Sequence, residues 1–383
     1  MFPIPSLHGR ERIVAVADIG SASVGVAIGR TKQDHVNVFA SATATAPVMD
    51  RSREHTIATV SSLFSDALEK VRLYPDASNI THTLPEQGIL VMQSPWSRTV
   101  TKMAERTFDA EEHITKGIIG ELAREALASG DTPEHAFETT VIRVALNGYP
   151  TAQPVGKYAT HIAVFVLVSD GEAAIVSAVS NIFKEHYGIE KPIYRSGARA
   201  LLSVIHQEVG VAADYMAVHI TDGSMYFLVI REGIPTATSI LPLGLHEILK
   251  KIAGKNTPEE MLSMFSLVER NMCSKDACVQ FKNSLATFEP EWVRATGDTM
   301  AELSLERKLP QDIWLSVDSR VGTWFVSLFS RFDFEQFTVT AKPFRVREIT
   351  MHKGNVEYQE GVHPDSSLKI ALELVNIERA QLL

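Results

Sequence analysis

What this chain has little of narrows its class. It holds two cysteines in 383 residues, Cys273 and Cys278. No second ligand pair accompanies them, and on a helix they would lie on different faces. The expectation is two reduced thiols in a cytosolic protein. No apolar run approaches the roughly 18 residues that cross a bilayer. The N-terminus, Met1 to Arg12, carries Pro3 and Pro5 and no long apolar stretch, so it does not read as a secretory signal. Basic runs are missing too, and the formal net charge is −9. A duplex-binding surface needs a basic patch, so nucleic acid is set aside as a partner. What remains is an ordinary globular composition, 45% apolar and 22% charged, in a chain long enough for more than one core.

Within it, one short device occurs twice. Asp18-Ile19-Gly20-Ser21-Ala22-Ser23-Val24 follows the apolar run Ile13–Ala17 and precedes Val24–Ile28 and Val36–Phe39. His219-Ile220-Thr221-Asp222-Gly223-Ser224-Met225 follows Tyr215–Val218 and precedes Met225–Ile230 and Thr236–Leu241. Each reads as a strand, a tight turn of small residues and a returning strand, once per half of the chain. Gly and Ser suit a turn whose backbone N–H groups face an anion. Asp18 is placed to hold a Mg²⁺-bound water, as a hard oxygen ligand does. The second copy has His219 where the acid stands.

The rest of the pattern is α/β. A helix is expected over 53–72, with Ile57, Val60, Phe64 and Val71 on one stripe and Pro75 beyond it. Residues 88–168 read as strands at 89–92 and 99–108, a helix capped by Asp109, and strands at 138–146 and 161–168. Helices follow at 171–186 and 196–205. The three-strand pattern returns over 214–241. Residues 257–307 are mostly helical, a strand covers 313–317, a helix 322–332, one or two strands 336–350, and a helix closes at 364–380. Three meandering strands followed by helices, twice, imply a mixed sheet covered by helices in each half.

In the order and spacing of these features the chain resembles the actin-like ATPases, and within them the FtsA and PilM group. The resemblance covers about residues 12–376. It rests on Val16-Ala17-Asp18-Ile19-Gly20-Ser21, the unit inserted between the halves, the loop Asn147-Gly148-Tyr149 … Gln153-Pro154-Val155-Gly156-Lys157, the helix start Ser196-Gly197-Ala198, and Ile234-Pro235 … Leu241-Pro242-Leu243-Gly244. It implies a duplicated, ribonuclease H-like two-lobe fold with an FtsA-type α+β insert. Residues 10–84 with 336–383 would form the first lobe, 85–169 the insert and 170–335 the second lobe.

The resemblance also implies ATP and Mg²⁺ as cofactors. Gly20, Ser21, Ala22, Asp222, Gly223, Ser224 and Gly197 would contact nucleotide, and Asp18 would serve catalysis and the metal through water. The family's second loop reads Asp-Ile-Gly-Gly-Gly-Thr. Here His219 replaces the acid, and imidazole is a poor Mg²⁺ ligand. Asp222 would bring negative charge to a polyphosphate, or act as a displaced substitute acid. Val317 and Asp318 carry side chains where the family has a Gly-Gly pair, and Glu259 to Arg270 lack its lysine–glutamate match. The expectation is weak or lost ATP binding and hydrolysis.

FtsA-like proteins carry an amphipathic membrane helix, whereas Leu368 to Ile377 is apolar on nearly all sides, as in a buried helix. The sequence therefore implies no direct membrane anchor. It implies a cytoplasmic scaffold of a division or type IV pilus machine, recruited to the inner membrane face by a partner, as the PilM likeness suggests. Machine proteins would dock on the insert, with Trp96 as a candidate anchor or core residue, and head-to-tail contacts would give filaments. The rival expectations are an active actin-fold ATPase or kinase, or a nucleotide-dependent cytoskeletal filament.

Overall fold

The computed structural model describes residues 11–32, 35–46, 53–73, 84–129, 136–270, 272–349 and 356–380. Met1 to Arg10 of the N-terminal reading, Gln33-Asp34 and Pro75 lie outside the described residues.

Strand β1 (Arg12–Ile19) is apolar on both faces and buried nearly throughout, as a central strand must be. It pairs antiparallel with β2 (Ser23–Lys32), which pairs with β3 (His35–Thr45). Helix α1 (Arg53–Arg72) then crosses over, so β4 (Gln87–Met92) lies parallel to β1.

The insert follows. Strand β5 (Ser97–His113), helix α2 (Lys116–Ala128) and strands β6 (Ala136–Leu146), β7 (Tyr149–Pro150) and β8 (Tyr158–Gly171) form a sheet in the order β5-β8-β6-β7. Its core joins Leu122 and Ala126 of α2 to Val144, Ile162, Val164 and Val166. Asp109 does not cap the helix as expected. Pairing with β8 carries β5 on to His113, and Thr115 caps instead, its hydroxyl accepting from Ile118 N at 3.2 Å.

Helix α3 (Ala173–Tyr187) and strand β9 (Ile193–Ser196) return to the first sheet, and α4 (Gly197–Val209) leads away. The second half repeats the plan with β10 (Tyr215–Ile220), β11 (Met225–Arg231) and β12 (Ile234–Leu241), then α5 (Leu245–Ala253), α6 (Pro258–Glu269), α7 (Lys275–Leu303), β13 (Asp312–Ser316), α8 (Gly322–Phe329) and β14 (Arg345–Glu348). Strand β15 (Val356–Tyr358) and helix α9 (Ser366–Ala380) complete the fold. The sheets run β15-β3-β2-β1-β4-β9 and β12-β11-β10-β13-β14.

Five strands thus repeat in the same order. The second hairpins, β2–β3 and β11–β12, even share an irregularity, a register shift at Ile28/Gly29 in one and at Val229/Ile230 in the other. Sheet membership redraws the expected boundaries. β4 and the α3–β9 unit belong with the first sheet, and β14 belongs with the second. A parallel strand is added through a crossover, so neighbours in sequence need not share a sheet, and the insert interrupts the β4–α3 crossover.

Helices α4 and α9 form the seam between the sheets. Their apolar residues share one core with Val14, Val16 and Val91 on one side and with Tyr215, Ala217 and Leu228 on the other. The expected burial of Leu368 to Ile377 is met there, with every apolar residue of that run buried. Among the described residues no helix is long and apolar enough to cross a membrane.

The cysteines depart from expectation: Cys273 and Cys278 form a disulfide, with Cα atoms 5.8 Å apart. Helix α7 starts after its N-cap Ser274, so Cys273 is not on the helix at all. It sits one residue before the cap and Cys278 four residues inside, the two positions that an apolar pair otherwise staples.

Candidate functional site

Between the sheets lies a cleft of about 1000 Å³. Asp18, Gly20 and Ser23 line it from the first turn, and His219, Thr221 and Asp222 from the second. Asp318 and Arg320 after β13, Asp365 and Ser367 at the start of α9, and Glu259 and Leu262 of α6 complete its walls.

The two turns are built alike. Gly20 N donates to Ser23 O at 2.9 Å, and Thr221 N donates to Ser224 O at 2.9 Å. Asp18 therefore corresponds to His219, and Ser21 to Asp222, as the sequence register implied. The first turn is fixed from behind by Trp96, whose indole Nε1 donates to Gly20 O at 2.8 Å. Trp96 is a buried residue, not an exposed anchor. The second turn is fixed by α5: Leu245 N donates to Thr221 O at 2.8 Å and His246 N to Asp222 O at 3.0 Å. A helix N-terminus that could have faced an anion is spent on the turn's own carbonyls.

Asp18 is buried and accepts from Gln93 Nε2 at 2.5 Å. Burial first, and then the Asp365 carboxylate, push it up to about 7, against hydrogen bonds from Gln93 and Ser367. His219 is buried, and burial pushes its imidazole down to about 4. The ring is therefore neutral near pH 7. Its Nδ1 lies 2.9 Å from Ser316 Oγ and its Nε2 3.2 Å from Ser367 Oγ. Asp222 is partly buried. Burial, then Asp365 and Asp318, push it up to about 6, opposed by a hydrogen bond from Ser23 and the Arg320 charge.

The other expected residues scatter. Ser21 packs against Gly223, where an added Cβ would stand 2.1 Å from Ser21 Oγ. Ala22 offers its carbonyl to Ala46 N at 2.7 Å. Ser224 is buried in the turn, its N–H directed at Thr221 Oγ1. Gly197 lies behind Asp18, leaving room for Gln93, whose Oε1 would be 1.9 Å from a Cβ there. Val317 turns into the second core and does not fill the cleft as expected. Asp318 does face the cleft, bound to Arg320 Nε at 2.9 Å. Burial raises its pKa, but the bonds from Arg320 outweigh this and hold it below the usual range.

Sequence reasoning missed Gln93, Asp365, Ser316 and Ser367. Only Asp365 left a trace, as the polar residue before the last helical run: its Oδ1 accepts from Leu368 N at 2.8 Å. The others are single polar residues brought in from distant elements.

Mg·ATP would ask for anionic oxygen ligands beside the phosphates. A neutral, doubly bonded imidazole offers Mg²⁺ no anionic oxygen. Asp222 adds a carboxylate to the cleft wall, and Gly223 meets Ser21 across it. No group of three or more His, Cys, Asp or Glu side chains among the described residues is arranged to hold a metal ion.

No protein-family model matches the chain, and no curated protein sequence does. Solved structures do match. The PilM-PilN type IV pilus biogenesis complex aligns at a TM-score of 0.55 and 12% identity, covering 95% of this chain and 98% of that one. The ethanolamine utilization protein EutJ from Carboxydothermus hydrogenoformans aligns at 0.44 and 13%, covering 97% and 91%. A Bacteroides thetaiotaomicron protein with an actin-like ATPase fold aligns at 0.38 and 8%, covering 94% and 96%. At such identities the likeness is one of fold, and the chain has the actin-like ATPase fold.

Proposed function

We propose that this chain is a PilM-like scaffold of a membrane-associated machine, with ATP binding and hydrolysis weak or lost. The observation that carries the second clause is His219. At the position of the second acid stands a neutral imidazole, bonded on both nitrogens. The carboxylates Asp222 and Asp365 beside it repel a polyphosphate. The first clause draws on the full-length match to a structure of a pilus biogenesis complex. In this reading the chain works at the cytoplasmic face of the membrane. A partner protein docks on the insert, whose sheet is hydrogen-bonded separately from the two lobe sheets.

A second reading, a residual ATPase or kinase, draws on Asp18, which is retained and lines the cleft. Calorimetric titration of the purified protein with Mg·ATP separates the two. The scaffold reading expects no heat of binding at micromolar nucleotide and no phosphate release. Micromolar affinity, with turnover abolished by Asp18→Ala, would move the assignment to the enzyme. The partner clause is tested by capture of machine proteins on the intact chain and loss of that capture when exposed residues of β5 and α2 are changed.

A further inference from the structure

Three contacts cross the floor of the cleft from one lobe to the other. Ser367 Oγ, on α9 against the first sheet, lies 3.2 Å from His219 Nε2 on β10, and the same hydroxyl is near enough to the Asp18 carboxylate to lower its pKa. Ser23 of the first turn faces the Asp222 carboxylate of the second closely enough to lower its pKa. Ser21 packs on Gly223, where no side chain larger than hydrogen leaves its hydroxyl in place.

Each crossing is held firmly on its own side. His219 Nδ1 is fixed by Ser316 at 2.9 Å within the second sheet. Asp18 is fixed by Gln93 at 2.5 Å within the first. Asp222 is carried by a turn whose carbonyls accept from Leu245 and His246. Hydrogen bonds between groups already ordered cost little further conformational entropy, so they act between the lobes at nearly full strength.

We infer that the lobes are latched closed across the cleft by the chain's own side chains, by the bond of Ser367 to His219 and the packing of Ser21 on Gly223, with Ser23 facing Asp222 beside them. Closure is then set by the protein and not by a ligand. The latch also accounts for the histidine. A carboxylate at position 219 would face Asp18 across Ser367, whereas a neutral imidazole completes the bridge without adding charge.

The experiment measures the distance between spin labels on Asp66→Cys in α1 and Gln280→Cys in α7, both exposed sites. The native cysteines are tied in their disulfide and leave the new thiols to react. The latch expects one narrow distance distribution without nucleotide, unchanged by 1 mM Mg·ATP (roughly the top of the usual working range). Ser23→Ala with Ser367→Ala, which removes two hydroxyls and little volume, is expected to broaden it and raise the open-to-closed ratio about tenfold. Ser263→Ala, on the cleft wall with its hydroxyl bonded only within α6, is expected to leave it unchanged. Far-UV circular dichroism checks folding, and Ser367→Ala alone carries the test if the double variant does not fold. Two results would overturn the latch: a double variant as narrow as the parent, or a parent that is broad and narrows with Mg·ATP. The first of these leaves the scaffold reading standing, and the second removes both.

Discussion

The two turns that face each other across the cleft share a backbone and differ in chemistry. Both close on the same N–H to carbonyl bond, and both follow the last pair of an antiparallel ladder, Ile19 with Val24 and Ile220 with Met225. The first keeps an acid, Asp18, and leans on Trp96. The second carries His219, draws its N–H partners from α5 and meets Ser23 through Asp222. Backbone geometry is held by ladders and small residues, which tolerate a change of side chain at one position. Anion and metal binding depend on charge at that position, and there the two turns differ.

Four measurements press on that contrast, beginning with the largest expected effect. Gly244→Ala would push a Cβ to 2.2 Å from Asp222 O and 2.3 Å from Ser224 N. Backbone cannot rotate away, so a loss of about 3 kcal/mol is expected by chemical denaturation. A loss under about 0.5 kcal/mol would mean that the second turn is not held by α5.

Asp18→Asn probes the first turn by pH. The folded-state value of Asp18 is raised from 3.8 to about 7. The stability this group permits is therefore complete below pH 3.8 and lost as pH rises through 7. The variant is expected to match the parent near pH 4 and to gain on it by about 1.4 kcal/mol per pH unit between pH 4 and 7. Parallel stability curves from pH 4 to 8 would contradict burial of an uncompensated carboxylate.

His219→Asp with Asp222→Gly makes the second turn resemble the first. Mg·ATP affinity is expected to rise by about 10- to 100-fold, read by calorimetry, since bonds to charged groups are worth roughly 1.5–3 kcal/mol. An unchanged titration would place the defect elsewhere in the cleft. Last, Trp96→Phe removes the bond to Gly20 O and part of the buried indole volume. It is expected to cost about 1–2 kcal/mol and to speed amide exchange in the first turn while sparing the second.

Much of the fold was legible. Continuous apolar runs broken by Gly-Ser turns give strands wherever they occur, and their recurrence after about 200 residues marked the duplication. The spans of α1 and of the second three-strand unit emerged nearly as read. The failures share one cause, namely that local signals yield to distant pairing. Asp109 looked like a cap, but β8 was available to extend β5. Val317 was placed in the cleft, but the end of β13 turns it into the core.

By itself the sequence determined that two halves share one backbone plan and that only the first keeps its acid. Periodicity and turn chemistry are local properties, carried by residues within a few positions of each other. Which groups answer His219 was decided by tertiary structure alone. Ser316 and Ser367 come from strands and helices about 100 and 150 residues away. They meet the imidazole only because β13 lies parallel to β10 and α9 folds back along the seam. No local pattern encodes a partner brought in by a crossover, so the bridge between the lobes existed only once the chain had folded.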